Sequence, residues 1–175
     1  SITDGDIRRS IIEKKNLHLK VSEICNTNFV YKKKSKGYID LKHYKSKDIV
    51  VLPILDGKNQ LVEILDLNKL KSVLPLECVI MAGGRGKRLS PLTDKIPKPM
   101  LILGGKPIIE HNIDRLISFG IKKFYVSINY LGDQIQCYFG DGSSKGVEIE
   151  YLNEEIPLGT AGSMSLIKEI NSKYV

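Results

Sequence analysis

The stretch of this sequence with the clearest chemical character is a glycine-rich, cationic loop that follows the apolar run CVI at 78–80. Residues 81–100 read MAGGRGKRLSPLTDKIPKPM and carry three glycines and five Lys or Arg residues. A glycine-rich turn at the end of a strand lets backbone N–H groups point at an anion, and ligands of open α/β sheets lie at such turns. The loop is therefore predicted to hold a small phosphorylated ligand.

Two familiar phosphate-binding motifs do not fit this loop. A P-loop requires Gly-Lys followed by Ser or Thr, whereas Arg88 follows Gly86 and Lys87. Met81 also stands where the first glycine of that motif belongs. The dinucleotide-binding pattern fails because Leu89 occupies the position of its third glycine. Taken alone, the loop is equally compatible with a flexible surface turn whose cations are solvated.

Composition places the chain among ordinary globular proteins, because 42% of its 175 residues are hydrophobic and 27% are charged. Apolar runs such as IVVLPIL at 49–55 are too short to span a bilayer, and the N-terminus lacks the apolar core of a signal peptide. Cys25, Cys78 and Cys137 form no CxxC pair, which favours free thiols. These features predict a cytoplasmic protein without a membrane partner.

The chain is basic, with a net charge of +7 and a pI of about 9.2. Its densest cationic run is YKKKSKGY at 31–38, and such runs are usually solvated surface. No nucleic-acid-binding motif accompanies it. We therefore predict no nucleic-acid partner and assign the remaining positive charge to the small phosphorylated ligand.

The pattern changes near residue 75, which predicts two domains, 1–75 and 76–175. In the first, spacing and turn residues predict two helices, two strands with a turn and a closing helix. These elements are, in order, DGDIRRSIIEKKN, IDLKHYKSKD, IVVLPILD, LVEILDL after the turn GKNQ, and LNKLKSVL.

In the second domain, strands and helices alternate, which predicts an α/β fold with a mostly parallel sheet. The run CVIM predicts a strand buried on both faces. The other predicted elements are the turn-containing run LILGGKP, the helix PIIEHNIDRLISFG, the strand KKFYVSINY, the helix or turn QIQCYFGDGSSKG, the strand VEIEYL and the helix TAGSMSLIKEI.

The run MAGGRGKRLSPLTDKIPKPMLILGGKPIIEHNIDRL closely resembles the N-terminal signature of sugar-1-phosphate nucleotidyltransferases. That signature reads G-G-x-G-[ST]-R-L-x-P-L-T, then P-K-P, then G-K-P-I-I-E. A second family signature is similar to YLNEEIPLGTAGSM at 151–164, and the resemblance extends over 77–175. Lys87 departs from the usual Thr or Ser, which keeps the backbone amide but replaces a hydroxyl by a positive charge.

The resemblance implies the N-terminal part of a Rossmann-like sheet and a transfer reaction between two anions. An oxygen of a sugar-1-phosphate attacks the α-phosphorus of a nucleoside triphosphate, and pyrophosphate leaves. In this family Arg88 would hold the departing pyrophosphate and Lys98 would contact the α-phosphate. The nucleotide-binding residues implied are Ala82, Gly83, Gly84, Gly86, Lys87, Glu154 and Gly159.

Glu154 and Gly159 resemble the part of the family site that recognises the base. A glycine lets a flat base approach the backbone, and a carboxylate can accept hydrogen bonds from guanine, which favours GTP. Asn129 and Tyr130 follow a predicted strand, so they could face the ligand or could cap the strand end.

The resemblance also implies Mg²⁺ as a cofactor, held mainly by an aspartate in an NGD-like stretch that follows the GTAG helix. The sequence contains no metal-ligand cluster and stops at NSKYV. The chain is therefore expected to be a fragment that lacks the metal aspartate and most of the sugar pocket.

At the other end, SITDGDIRRSI resembles the end of a CBS motif, in which T-x-x-D opens the last helix. The resemblance implies that Thr3 and Asp6 hold ribose hydroxyls of an adenine nucleotide; a plain helix cap is the equally weighted alternative. A second CBS-like unit spans about 21–70, but Asp66 to Lys69 departs from the pattern. The first domain is therefore predicted to be a partial α+β CBS pair.

Two functions stay open at this point. The chain could belong to a sugar-1-phosphate nucleotidyltransferase with a CBS regulatory appendage, forming a homo-oligomer, or to a non-enzymatic nucleotide sensor. Arg88 and Lys98 favour the enzyme, because a sensor has no need to keep both.

Overall fold

The computed structural model describes residues 2–14, 18–35, 37–47, 49–172 and 175. The chain forms two compact units, one of Ser1–Lys34 with Val51–Leu65 and one of Ser35–Val50 with Asp66–Val175. The domain boundary expected near residue 75 stays a prediction.

The smaller unit contains the helices α1 (Asp4–Lys14) and α2 (Val21–Ile24) and a three-stranded sheet. The sheet has the order β1-β2-β3, and β1 is parallel to β2; its strands are β1 (Lys32–Lys33), β2 (Val51–Leu55) and β3 (Leu61–Asp66). The predicted first helix, the two predicted strands and the turn between them are confirmed.

In the larger unit, α3 (Leu41–Lys45) is the second helix predicted for the first half. The predicted closing helix LNKLKSVL is wrong, because residues 67–74 form turns and a β-bridge between Ile39 and Val73. The N–H groups of Lys71 and Leu74 donate to the carbonyls of Ser118 and Phe119 at 2.6 and 3.0 Å. Tertiary partners thus take the backbone groups that a helix would have used.

The larger unit is built on a parallel sheet of the order β4-β7-β8. Its strands are β4 (Cys78–Met81), β7 (Lys123–Ile128) and β8 (Glu148–Asn153), and the hairpin β5 (Ile102–Leu103) and β6 (Lys106–Pro107) is separate. The helices are α4 (Ile108–Ile117), α5 (Gly132–Phe139) and α6 (Gly159–Gly162). The α/β fold with a parallel sheet is confirmed.

The core of the larger unit surrounds the central strand β7. Phe124, Val126 and Ile128 pack into one cluster with Ile109 and Ile113 of α4. Both helix residues lie on the apolar stripe predicted from the 3.6-residue spacing, and both are buried. The sheet is thereby fixed beneath the loops that follow its strands.

Two further expectations need correction. β4 is an edge strand in the described sheet, and Met81 at its end is 40% exposed, so β4 is not buried on both faces. The run TAGSMSLIKEI is not one helix, because α6 ends at Gly162 and a 3-10 turn ends at Leu166. Ile167 then has extended backbone angles, and Asn171 N–H donates to the carboxylate of buried Glu77 at 3.0 Å.

Among the described residues, no helix is long and apolar enough to cross a membrane. The three cysteines are free thiols, as predicted. The cytoplasmic location stays a prediction.

Candidate functional site

The glycine-rich loop leaves β4 at the carboxyl edge of the parallel sheet. Buried Ala82 continues the strand ladder by donating its N–H to the carbonyl of Ser127 at 2.8 Å. Gly83 lies against Asn129, because a Cβ at Gly83 would stand 3.2 Å from the Asn129 Cβ. Gly84 faces open space. The loop therefore begins on a fixed base and then becomes accessible.

Gly86 is the point where the loop meets the PKP segment. It has a φ of +64°, and a Cβ there would lie 3.1 Å from both Lys98 Cβ and Thr93 Cγ2. The hydroxyl of buried Thr93 donates to the carbonyl of Gly86 at 3.0 Å. The structure thus brings the predicted residues Gly86 and Lys98 together. The sequence analysis did not identify Thr93. Its burial within a polar loop requires a hydrogen-bond partner, which the Gly86 carbonyl provides.

The cations of this loop are not neutralised by protein carboxylates. Within the described part of the chain, Arg85, Lys87, Arg88 and Lys98 form no salt bridge, and all four are exposed. By contrast, Lys145 bonds the carboxylates of both Glu110 and Asp114. Unpaired positive charge beside open backbone amides is suited to an anion that carries several charges.

A cavity of about 310 Å³ opens between the loop and the end of β7. Arg85 lies over the ring of Tyr130, with its guanidinium carbon 4.9 Å from the ring centre. The Tyr130 hydroxyl donates to the carbonyl of Asp94 at 2.8 Å. Tyr130 therefore contacts the loop at both Arg85 and Asp94. Sequence reasoning did not identify Arg85 as a residue of this site. The lining residues are Arg85, Lys87, Ser90, Thr93, Asp94 and Tyr130.

The second predicted segment, which contains Glu154 and Gly159, follows β8 at the same edge of the sheet. One carboxylate oxygen of Glu154 accepts a hydrogen bond from the Ser127 hydroxyl, and the other accepts from Leu158 N–H at 3.0 Å. Gly159 is exposed and has a φ of +79°, which favours glycine. Asn129 donates its side-chain amide to the carbonyl of Glu154, so it caps this segment.

A network of charges holds the scaffold beneath these loops. Lys145 bonds Glu110 at 2.6 Å and Asp114 at 2.8 Å, and Lys106 also bonds Asp114. The hydrogen bond from Lys145 lowers the pKa of Glu110. Burial would raise the pKa of Asp114, but the bonds from Lys106 and Lys145 outweigh it and lower that pKa. The network joins α4 to the β5–β6 hairpin and to the turn that contains Lys145.

The described residues do not provide a metal centre. No group of three or more His, Cys, Asp or Glu side chains in these ranges could hold an ion. The donor set of the described residues therefore does not fit Mg²⁺.

In the smaller unit, Thr3 and Asp6 form a reciprocal cap at the start of α1. Thr3 donates its N–H and hydroxyl to the Asp6 carboxylate at 2.8 and 2.7 Å, and Asp6 N–H donates back to the Thr3 hydroxyl at 3.3 Å. The bonds from Thr3 and then Arg9 lower the pKa of Asp6. The cap interpretation is therefore realised, while the ribose role stays a prediction.

With this geometry in place, comparison with known proteins identifies the class. The family model described as nucleotidyl transferase matches residues 77–175. The chain belongs to the nucleotidyl transferase family. The predicted family resemblance is thus confirmed over the range where it was placed.

Among individual proteins, the chain is similar to mannose-1-phosphate guanylyltransferase of Mycobacterium tuberculosis, with 41% identity over 90 residues, 51% of this chain and 25% of that protein. It is also similar to N-acetylmuramate alpha-1-phosphate uridylyltransferase of Neisseria meningitidis, with 42% identity over 91 residues, 51% of this chain and 39% of that protein. The solved structure of HddC from Yersinia pseudotuberculosis, complexed with GMP-PN, is 30% identical, covers 54% of this chain and 44% of that one, and has a TM-score of 0.47.

The match therefore spans between a quarter and two fifths of the length of these two curated relatives.

Proposed function

We propose that the whole protein transfers a nucleotidyl group from a nucleoside triphosphate to a sugar-1-phosphate and releases pyrophosphate. The observation that carries this proposal is the cationic loop at the carboxyl edge of a parallel sheet. Its four exposed Lys and Arg side chains form no salt bridge among the described residues, and Gly84 faces open space. The relatives' names agree with it, since one is a guanylyltransferase and another a uridylyltransferase acting on 1-phosphates.

In this reaction an oxygen of the sugar-1-phosphate forms a bond to the α-phosphorus. The bond from that phosphorus to the oxygen bridging it to the β-phosphorus breaks, and the electron pair leaves with pyrophosphate. Backbone amides of Gly83, Gly84 and Gly86 would cradle the triphosphate, whereas the Ala82 N–H is already bonded to Ser127. Lys98 would stabilise charge on the α-phosphate, and Arg88 would hold the departing pyrophosphate. The protein supplies position and charge, and no covalent enzyme intermediate is needed.

The base would lie against the exposed backbone at Gly159, whose missing side chain leaves room for a flat ring. We propose GTP as the preferred donor, which is supported by the guanylyl transfer named for the Mycobacterium tuberculosis relative. A panel of the common nucleoside triphosphates tests this preference directly.

We propose Mg²⁺ as a cofactor of the whole protein, because transfer between two anions benefits from a cation that neutralises both. Since the described residues contain no cluster for it, its ligands are not assigned to positions of this chain.

We further propose that residues 1–75 form a partial CBS pair that regulates the enzyme, in line with the T-x-x-D pattern at Thr3 and Asp6. The capping bonds of Asp6 compete with this role. Calorimetry with an adenine nucleotide on the whole protein and on Asp6→Ala tests it. Binding that is lost in the variant supports the ribose role; equal binding, or none, leaves Asp6 as a cap.

The decisive test measures pyrophosphate release by the whole protein from each nucleoside triphosphate with a panel of sugar-1-phosphates and Mg²⁺. Turnover that requires both substrates supports the proposal. Nucleotide binding without turnover, across the whole panel, would instead favour the nucleotide-sensing function.

A further inference from the structure

We propose that Ser127 and Glu154 form a clasp, the side-chain pair that holds the base-side loop 154–159 in register with the triphosphate loop 82–86. In this assignment Glu154 is a positioning residue and not a ligand of the base. The inference rests on the proposed nucleotidyl transfer, which it deepens by naming what keeps the two halves of the nucleotide site together.

Ser127 lies where the two loops meet the central strand. It is fully buried, with 0% of its surface exposed, among the mostly apolar buried residues of β7. Its carbonyl accepts the N–H of Ala82, the first residue of the triphosphate loop, at 2.8 Å. Its hydroxyl donates to the carboxylate of Glu154 at the start of the base-side loop. One residue therefore bonds both substrate loops, one through its backbone carbonyl and the other through its hydroxyl.

Each polar group of Glu154 forms a hydrogen bond within the protein. Its N–H donates to the carbonyl of Ile128 at 2.9 Å, and its carbonyl accepts from Asn129. One carboxylate oxygen accepts from Ser127, and the other accepts Leu158 N–H at 3.0 Å, which folds the loop back on itself just before Gly159. A carboxylate used in this way shapes the loop on which the base would rest.

Asn129 adds a second connection between the same loops. It donates to the carbonyl of Glu154, and Gly83 packs against it so closely that a Cβ on the glycine would lie 3.3 Å from the Asn129 backbone nitrogen. Asn129, the residue directly after β7, thus contacts both the triphosphate loop and the base-side loop.

The clasp matters because a single nucleotide must reach both loops. The base and the α-phosphate are joined covalently through the ribose, so a shift of one loop against the other misplaces the phosphorus that is attacked. Errors of about 1 Å in such positioning cost on the order of a hundredfold in rate. A buried hydroxyl bonded to a carboxylate is a short, charge-assisted connection suited to setting that distance.

The test is a double-mutant cycle on the whole protein with Ser127→Ala, Glu154→Gln and both together. kcat and KM are measured separately for GTP, UTP and ATP. We expect Ser127→Ala to lower kcat/KM on the order of tenfold for whichever nucleotides are used, by a similar factor for each. The double variant should lose little more than the more affected single variant, because both changes act on the same bond: Ser127→Ala removes its donor, and Glu154→Gln replaces its charged acceptor by a neutral amide.

Ser118→Ala is the matched control. The Ser118 hydroxyl also donates within the larger unit, to the carbonyl of Arg115, but at the end of α4. It should retain wild-type kcat and KM. Thermal unfolding of all variants separates altered positioning from loss of fold.

Three results would overturn the clasp: wild-type kinetics in Ser127→Ala, additive losses in the double variant, or a Glu154→Gln defect confined to GTP. The last would make Glu154 a base ligand. Absence of turnover in the wild-type protein would refute the proposed function separately. In that case hydrogen exchange at Leu158 N–H decides the clasp, since Ser127→Ala should accelerate it and an unchanged rate would refute it.

Discussion

Among the single side chains, Lys98 is the one whose removal should affect the proposed reaction most clearly. It is exposed, its Cβ lies beside Gly86, and it has no carboxylate partner in the described residues. In the whole protein, Lys98→Met should lower kcat on the order of a hundredfold, and should weaken nucleotide binding less, because the charge it stabilises develops during transfer.

Steady-state kinetics check this, with Lys95→Met as the control. Lys95 is exposed in the same segment, and its backbone carbonyl accepts a hydrogen bond from the Gln134 side chain. Turnover of Lys98→Met within a fewfold of wild type would remove Lys98 from the reaction.

The backbone conformation of Gly86 should matter for the stability of the fold. Gly86→Ala places a Cβ at a φ of +64° and 3.1 Å from Thr93 and Lys98, so it should lower the free energy of unfolding by about 1–3 kcal/mol. Gly84→Ala is the control for fold, since its φ is not positive and a Cβ there meets nothing within 4 Å. Denaturant unfolding of both variants measures the difference. Equal stability would show that Gly86 is not conformationally required.

Sequence reasoning reached the loop glycines, Lys87, Arg88 and Lys98 because a local motif marks them. It could not reach Ser127, because a single serine in an apolar strand has no periodic signal. Its role depends on which strands lie beside β7, and that pairing joins residues about 45 positions apart on one side and 25 on the other.

At the scale of elements, the alternation of strands and helices was readable from hydrophobic period and turn residues. The helix predicted at 67–74 failed for a physical reason. The amphipathic spacing is present, but the β-bridge to Ile39 and hydrogen bonds to the end of α4 satisfy the backbone instead. Such partners lie more than thirty residues away on one side and more than forty on the other, so no local pattern reveals them.

The ion pairs of Lys145 should stabilise the position of α4. Lys145→Met leaves Glu110 and Asp114 close together without their shared cation. We expect a loss of about 1–2 kcal/mol, since the groups are partly buried, and a melting temperature lower by about 3–6 °C near neutral pH. Lys168 is exposed and forms no salt bridge within the described chain, so Lys168→Met should change neither.

The same network sets the sign of the pH dependence. Both carboxyls have a lowered pKa in the fold, so their contribution is present above the ordinary carboxyl pKa and is lost as the pH falls through the folded value. The difference between wild type and Lys145→Met should therefore shrink below about pH 4. Differential scanning calorimetry across pH checks this, and a difference that grows in acid would contradict it.

At the scale of the whole molecule, some cationic side chains are paired with carboxylates and others are not. Several lysines form ion pairs, such as Lys123 with Glu148 and Glu150, whereas the cations of the loop around Gly86 form none with the residues that the structure describes. The net charge of +7 therefore includes a local excess beside open amides, where a polyanion gains the most.

The 175-residue chain itself provides the last prediction. Its matched segments of 90 and 91 residues cover 25% and 39% of two relatives, and each substrate contact proposed above is with the nucleoside triphosphate. We therefore expect the isolated chain to bind a triphosphate weakly and to make no sugar nucleotide, whereas the whole protein does. Since binding is largely electrostatic, raising NaCl from about 0.05 M to about 0.5 M should weaken it on the order of tenfold. Calorimetry with a triphosphate and a monophosphate, together with pyrophosphate release, tests both parts. Sustained turnover by the chain alone would mean that it contains a complete active site. Equal affinity for the triphosphate and the monophosphate at all salt concentrations would mean that the cationic loop does not bind the phosphates.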